Sequence, residues 1–194
     1  MDRRVAETTV LIVPGLRDEV AQHWQTLLAK ELPRVVTVPP MGRENLDCET
    51  RVEAIDLCAQ RIEGPIVIVA HSGGCIMVAH WARRTQRPVL GALLATPPDF
   101  DLPMPDGYPS LQHLTVGGWL PVPRQRLPFP SIVAASRNDP LGKFSRVSAL
   151  AQDWGSRLVD VGEVGHLNPA SGFGPWPLAH ALIEQLAQPA PVRA

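Results

Sequence analysis

The sequence predicts an α/β fold of three layers, a mostly parallel six-stranded sheet with helices on both faces. Short runs of apolar and largely β-branched residues alternate with longer segments in which apolar residues recur at helical spacing. Prolines, glycines and small polar residues close most of the apolar runs, as they close strands buried on both faces. The length of 194 residues suits one well-buried core, so we expect a single domain over residues 1–194.

The predicted strands and helices follow one another in a regular order. Strands are predicted at residues 9–13, 34–38, 66–70, 89–95, 131–136 and 156–161. Helices are predicted at residues 20–32, 50–62, 76–84, 144–154 and 176–187, with one short helix near 109–114. Parallel strands joined by right-handed crossovers collect functional loops at the carboxyl ends of the strands. We therefore expect the site in the loops that follow the six strands.

Composition and charge exclude several classes of protein. With 18 basic and 19 acidic residues, the formal net charge of −1 gives no reason to expect a nucleic acid or an anionic membrane as partner. The first residues contain no apolar signal segment, and no apolar run approaches the roughly 20 residues of a membrane span, so we expect a cytoplasmic protein. Cys48, Cys58 and Cys75 lack the spacing of metal ligands and fit reduced thiols. We expect neither a metal nor an organic cofactor.

A strand that turns sharply into a helix brings one serine to a special position. Residues 70–74 read Ala-His-Ser-Gly-Gly and join the third predicted strand to the helix after it. This is the context of a nucleophile elbow, where the residues two before and two after the serine must be small. Ala70 and Gly74 meet that requirement, so Ser72 is the predicted nucleophile, with His71 a structural residue behind the turn. A serine at such a turn is more often a simple helix N-cap, which is the alternative interpretation.

Two later loops supply an acid and a histidine. Asp139 follows the fifth predicted strand, and His166 follows the sixth. The order Ser72, Asp139, His166 is that of the α/β-hydrolases, and each residue lies just past the carboxyl end of a strand. Because a serine hydroxyl is a poor nucleophile alone, His166 is the predicted base and Asp139 the acid that orients it. Asn138 is the neighbour of that acid, but only a carboxylate stabilises the imidazolium fully.

Two backbone N–H groups form the predicted oxyanion hole. One belongs to Gly73, directly after the nucleophile, and the other to Leu16, in the loop after the first strand. Gly15 allows that loop to turn close to the serine. The prediction places both donors at the same edge of the sheet as the three side chains.

Residues 99–130 occupy the place at which α/β-hydrolases carry an inserted cap. The segment is short and contains several prolines, so we expect a partial lid or a stiffened pocket rim that favours short acyl groups. Trp119 and Phe173 are predicted to line the substrate pocket. Further apolar residues of the segment are predicted to join them: Phe100, Leu102, Met104, Leu111 and Leu120.

The chain resembles the small serine hydrolases of the retinoblastoma-binding-protein-9 and YdeN type, a compact branch of the α/β-hydrolases. The matching pieces are residues 10–15, 23–25, 70–74, 135–140, 154–156 and 162–177. The most specific piece is Ser-Gly-Phe-Gly-Pro-Trp-Pro at 171–177. The resemblance implies a compact α/β-hydrolase domain with a minimal cap or none, the triad Ser72, Asp139 and His166, and the hydrolysis of ester-type bonds.

Two departures from the family pattern limit what the resemblance implies. Residues 40–48 lack a tryptophan-containing segment found in many relatives, so the pocket wall there is not predicted. The motif Leu-x-Cys-x-Glu, associated with binding of the retinoblastoma protein, is also absent, because residues 46–50 carry the glutamate one position early. We expect a small ester or amide as the ligand and no such protein partner. The alternatives to an esterase are an amidase or peptidase with the same triad, and a non-catalytic binding protein on a hydrolase scaffold.

Overall fold

The computed structural model describes residues 7–17 and 20–188. The first six residues, where the sequence predicts no signal segment, and the last six, in a short Ala/Pro-rich end, lie outside the described residues, as do residues 18 and 19. The strands are β1 Thr9–Val13, β2 Val35–Thr37, β3 Ile66–His71, β4 Gly91–Ala95, β5 Ser131–Ala135 and β6 Arg157–Asp160. The helices are α1 Trp24–Glu31, α2 Cys48–Arg61, α3 Gly73–Ala82, α4 Leu111–Val116, α5 Phe144–Trp154 and α6 Leu178–Ala187.

All six described strands lie parallel in one sheet, in the order β2-β1-β3-β4-β5-β6. Every residue of β1, β3, β4 and β5 is buried, whereas the edge strands β2 and β6 are largely half-buried or exposed. The chain builds outward from β1 to β2 and then returns to β3 on the other side of β1. This reversal leaves a crevice at the carboxyl ends of β1 and β3, where open α/β sheets bind their ligands.

The two faces of the sheet belong to two separate hydrophobic clusters. Alternate residues of β1 and β3 point to opposite faces, as the pleat of a strand requires. Leu11 and Ile68 pack against α2, α3, α4 and α5, while Ile12 and Val69 pack against α1 and α6. The arrangement confirms the predicted fold class, a sheet covered by helices on both sides. Between β4 and β5 the only described helix is the six-residue α4, which agrees with a minimal cap.

Several boundaries differ by a few residues from the predicted ones. Helix α1 begins at Trp24 rather than at residue 20, because the His23 side chain caps it by accepting the N–H of Gln25. Helix α6 begins at Leu178, with Pro177 as its N-cap. A 3₁₀ helix at Pro169–Ser171 was not predicted. Apolar periodicity continues beyond the last backbone hydrogen bond of an element, so it locates elements better than it locates their ends.

Helix α3 approaches the end of β1 closely at one residue. A Cβ atom added to Gly74 would lie 2.5 Å from the carbonyl oxygen of Val13 and 2.6 Å from that of Pro14. Both contacts are with backbone, which has little freedom to move away. Gly74 is therefore required by the approach of α3 to β1, and its absence of a side chain fixes the distance between the two elements at the edge of the crevice.

We expect Gly74→Ala to lower the free energy of unfolding by about 2 kcal/mol, because overpacked cores lose stability of this order. Urea unfolding followed by circular dichroism measures the change. The matched control is Gly174→Ala, since a Cβ there would meet nothing nearer than the Gln22 carbonyl oxygen at 3.9 Å. A Gly74→Ala protein as stable as this control would contradict the requirement for glycine.

Candidate active site

Ser72 lies at the apex of the turn from β3 to α3 in a strained backbone conformation. Its φ is +55° and its ψ is −131°, values that a residue with a side chain rarely adopts. The turn is fixed by two hydrogen bonds: Ser72 N–H donates to the Ala95 carbonyl, and Cys75 N–H donates to the Ser72 carbonyl, each at 2.9 Å. The Ser72 side chain makes no capping bond to α3. Ser72 therefore occupies the N-cap position of α3 without serving as a side-chain cap.

The three side chains predicted from separate loops meet at the carboxyl edge of the sheet. His166 Nε2 lies 2.8 Å from Ser72 Oγ. His166 Nδ1 lies 3.0 Å and 2.9 Å from the two carboxylate oxygens of Asp139. A carboxylate only accepts hydrogen bonds, so Nδ1 carries the proton and Nε2 is left as an acceptor for the serine hydroxyl. The Asp139 and His166 side chains are only 2 % and 5 % exposed, which excludes water from their contact.

The acid and its neighbour Asn138 have separate tasks. Asp139 Oδ1 also accepts the N–H of Leu141 at 2.9 Å, which fixes the carboxylate towards His166. Asn138 Oδ1 turns the other way and accepts the Gly165 N–H at 2.7 Å and the Ser136 hydroxyl at 3.0 Å. The asparagine thus ties the loop of the acid to the loop of the histidine.

The backbone of His166 is anchored on both sides. Its N–H donates to Ser171 Oγ at 3.0 Å. Its carbonyl accepts from His71 Nε2 at 2.9 Å and from Thr96 Oγ1 at 3.4 Å. The next residue, Leu167, is fully buried and has a φ of +48°. These contacts allow the imidazole little freedom to leave Ser72, and the bond from His71 to the His166 backbone agrees with the structural role predicted for His71.

Three imidazole rings pack in a row beside Ser72, and all three residues line the cavity of the site. The ring of His71 lies 4.7 Å from that of His23 and 4.9 Å from that of His166, measured between centroids. Burial and the neighbouring His166 lower the pKa of His23 to about 4 and lower the pKa of His71 well below its ordinary value. At neutral pH both rings are uncharged, so neither repels a positive charge that develops on His166.

The loop after β1 lies directly against the nucleophile. A Cβ added to Gly15 would be 3.1 Å from Ser72 Cβ and 3.5 Å from Ser72 Oγ, and the Leu16 side chain covers Gly73. Among the residues that the structure describes, none accepts a hydrogen bond from the N–H of Leu16 or of Gly73. The two predicted oxyanion donors are therefore next to Ser72 and have no protein acceptor.

A cavity of about 430 Å³ opens beside Ser72. Its walls come from the loops after β1, β2 and β6, from residues 98–109 and from the start of α1, and they are largely apolar. Phe100 and Met104 line it as predicted. The first part of the segment 99–130 is thus a pocket rim, while its second part packs into the core.

Trp119 and Phe173, the predicted pocket residues, do not line this cavity. Trp119 is fully buried in the core, where its ring packs at 5.7 Å from that of Phe100 and its indole N–H donates to the Leu46 carbonyl at 2.7 Å. Phe173 packs against the cluster on the α1 and α6 side of the sheet. Leu102, Leu111 and Leu120 are also absent from the cavity wall. Of these residues only Trp119 is fully buried, whereas Leu102 is exposed, so apolar character alone did not distinguish a pocket wall from the core or from the surface.

Gln25 is a site residue that sequence analysis left without a role. Its side chain is buried, and Nε2 donates to the carbonyls of Val13 at 3.2 Å and Val69 at 3.1 Å. These carbonyls belong to the ends of β1 and β3, which flank the crevice. The available signal was the match of residues 23–25 to the family pattern, but the position of Gln25 over the strands follows only from the packing of α1.

No group of His, Cys, Asp and Glu within residues 7–17 and 20–188 has the arrangement of a metal site. In the same residues, no helix has both the length and the apolar character needed to cross a membrane.

Cys75 is buried beneath the elbow, with its thiol 3.3 Å from the Ala95 carbonyl, and burial raises its pKa well above the ordinary value. It fills space in the core.

Comparison with known proteins identifies the family. A family model described as serine hydrolase matches residues 10–185. A YdeN-like hydrolase of Pectobacterium atrosepticum is 30% identical, with 93% of this chain and 89% of that chain covered and a TM-score of 0.76. The ydeN product of B. subtilis is 19% identical over 92% and 98% of the two chains, with a TM-score of 0.72. A monoacylglycerol lipase of Paleococcus ferrophilus is 14% identical over 92% and 93%, with a TM-score of 0.66.

No curated protein matches the chain significantly. The fold and the family match together define an α/β-hydrolase with a compact sheet and a short rim in place of a cap. The chain belongs to the serine hydrolase family. The resemblance to YdeN-type hydrolases inferred from the sequence motifs is thereby confirmed, and the protein is a hydrolase.

We expect the half-buried His23 to make the folded protein less stable in mild acid. Between its folded pKa of about 4 and its ordinary value of 6.5, the unfolded chain binds a proton that the folded chain does not. The free energy of unfolding should therefore fall as the pH decreases from 6.5 to 4, by an amount on the order of 3 kcal/mol from this residue.

The variant His23→Asn tests this expectation, because asparagine retains a cap acceptor for α1 and does not titrate. Its free energy of unfolding should fall less steeply over the same pH interval, measured by urea unfolding at each pH. The difference at pH 8, where the imidazole is neutral in both states, gives the cost of the substitution itself. Parallel curves for the two proteins would show that His23 does not contribute.

Proposed function

We propose that the protein hydrolyses carboxylic esters of small substrates through an acyl-enzyme formed on Ser72. The observation that carries the proposal is the continuous contact from Ser72 Oγ through the His166 ring to the Asp139 carboxylate. This is the arrangement that activates a serine hydroxyl, with a base in contact and an acid that fixes the tautomer of the base. The family match supports hydrolysis in general.

In the first half of the reaction, Ser72 Oγ attacks the ester carbonyl and its proton passes to His166 Nε2. The imidazolium is stabilised by Asp139, and it then gives the proton to the departing alcohol oxygen as the acyl-enzyme forms. In the second half, a water molecule attacks the acyl carbonyl while His166 takes its proton. The tetrahedral intermediate collapses, Ser72 leaves with that proton, and the carboxylic acid is released.

The tetrahedral intermediates carry a negative oxygen that must be stabilised. We assign this role to the N–H groups of Leu16 and Gly73, which lie beside Ser72 without a protein acceptor. Loss of one such donor typically costs on the order of 3 kcal/mol of transition-state stabilisation. The N-terminal end of α3, which begins at Gly73, adds a favourable field for the negative charge.

Ser72→Ala should reduce ester turnover by a factor on the order of a million, as for removal of the nucleophile in other triads. It should also abolish labelling by a fluorophosphonate probe. The control is Ser145→Ala, an exposed serine on α5, which should behave as the unmodified protein. If Ser72→Ala were labelled as fast as the unmodified protein, Ser72 would not be the nucleophile.

A panel of p-nitrophenyl esters and amides, run beside the labelling, tests the bond that is cleaved. The same triad also serves amide hydrolysis, so faster turnover of amides than of the matching esters would replace the esterase by an amidase or peptidase. Labelling without turnover of any ester or amide would favour the binding protein instead.

Asp139→Asn should lower kcat by roughly ten-thousandfold, because a neutral amide neither fixes the tautomer of His166 nor stabilises its charge. Asn138→Asp is the matched comparison. An aspartate there retains the oxygen that accepts from Gly165 and Ser136, so a much smaller effect is expected. The pair is compared by steady-state kinetics on one ester, and a larger loss for Asn138→Asp would reverse the assignment of the two residues.

A further inference from the structure

The cavity beside Ser72 has a positive wall. Two of the residues that line it are Arg17 and Arg43, and none of its described lining residues is an aspartate or a glutamate. This contrasts with the formal net charge of −1 for the whole chain. The positive charge of Arg17 on the wall of a largely apolar cavity favours a ligand with a negative group.

Arg17 has no carboxylate partner among the described residues. Other arginines do pair with acids at the surface: Arg84 with Glu49, Arg124 with Asp101 and Asp153, Arg137 with Asp160, and Arg146 with Asp99. Arg17 instead contacts only the rim of the cavity. Its positive charge is therefore not neutralised within the part of the chain that the structure describes.

The contacts of Arg17 hold its guanidinium in place and leave donors available. Its Cζ lies 4.1 Å from the centre of the Tyr108 ring, and Nη2 donates to the Gly107 carbonyl at 3.2 Å. Stacking uses the face of a guanidinium, whereas its five N–H groups point outward in its plane. One of them is used on Gly107. The others can form a charge-assisted, two-point contact with a carboxylate.

Arg17 is also close in sequence to residues of the proposed active site. It directly follows Leu16, the assigned oxyanion donor, and Gly15 lies against Ser72. Because Arg17 and Ser72 line the same cavity, one small molecule can place an anionic group at Arg17 and its ester carbonyl at Ser72. Residues 107–109 of the rim also line the cavity, and Arg17 contacts two of them, Gly107 and Tyr108.

We propose that the preferred substrates are small esters that also carry a free, negatively charged carboxylate. Arg17 binds this carboxylate while Ser72 attacks the ester. This inference rests on the proposed esterase function and names its substrate class. Asp18 and Glu19 follow Arg17 in the sequence but lie outside the described residues, so the test includes a cationic ester.

The test compares three ethyl esters of similar size in a pH-stat assay. They are monoethyl glutarate with a carboxylate, ethyl glutaramate with a neutral amide in its place, and the ethyl ester of γ-trimethylammonio-butyrate with a cation. Monoethyl succinate and monoethyl adipate vary the distance between the two groups. We expect kcat/KM for the best hemiester to exceed that of its amide by roughly tenfold to a hundredfold.

Arg17→Gln should reduce that ratio to near one, mainly through a higher KM for the hemiester. Arg17→Lys should retain part of the ratio, because lysine keeps the charge without the planar fork. The ratio of kcat/KM for the hemiester to that for the amide distinguishes anion binding from the support that Arg17 gives to the rim, because a distorted rim would slow both esters alike. Arg157→Gln is the control, because that residue lies at the start of β6, at the opposite end of the sheet.

Equal rates for the hemiester and the amide, a preference that survives Arg17→Gln, or a preference for the cationic ester would each overturn the inference. Turnover of neutral esters in those cases would leave the proposed function intact. If no ester is cleaved, binding of monoethyl glutarate and ethyl glutaramate to Ser72→Ala is measured by calorimetry. If the hemiester binds more tightly than the amide, and this difference is lost in the double variant with Arg17→Gln, the result would support the anion site alone. Equal binding of the two compounds would reject it.

Discussion

The backbone of Ser72 is the constraint on which the active site depends. A φ of +55° at a residue with a side chain costs on the order of 1–3 kcal/mol, and it persists only where the surroundings allow no alternative. Here the Ala95 carbonyl, the N–H of Cys75 and the approach of Gly74 to the end of β1 together fix the turn. The result is a hydroxyl that stands clear of α3 and faces His166 instead of capping the helix.

Two further strained residues lie on the neighbouring loops. Thr96, after β4, has a φ of +47°, and Leu167, after His166, has a φ of +48°. Both are buried, and the Thr96 hydroxyl donates to the His166 carbonyl. Strained backbone thus surrounds His166, the side chain that we propose as the catalytic base. A rigid base suits a reaction in which proton transfer depends on tenths of an ångström.

The charged and neutral groups of the site occupy separate positions. The carboxylate of Asp139 is buried against His166, and the two other imidazoles in the row remain neutral because burial lowers their pKa. The positive charge of Arg17 lies on the cavity wall, where its guanidinium contacts the Tyr108 ring of the rim. In the proposed reaction, a negative charge is therefore favoured on the reacting oxygen and on a second group of the substrate.

The sequence was sufficient for the alternation of strands and helices and for the order Ser72, Asp139, His166, because hydrophobic periodicity and strand-end position are local properties. It was not sufficient for Trp119 and Phe173, since an apolar side chain is equally suited to a core and to a pocket wall. The roles of Asn138, Gln25 and Arg17 depend on partners distant in the chain. Those partners are brought within hydrogen-bonding reach only when the parallel strands align their carboxyl ends, and so only the tertiary structure assigns them.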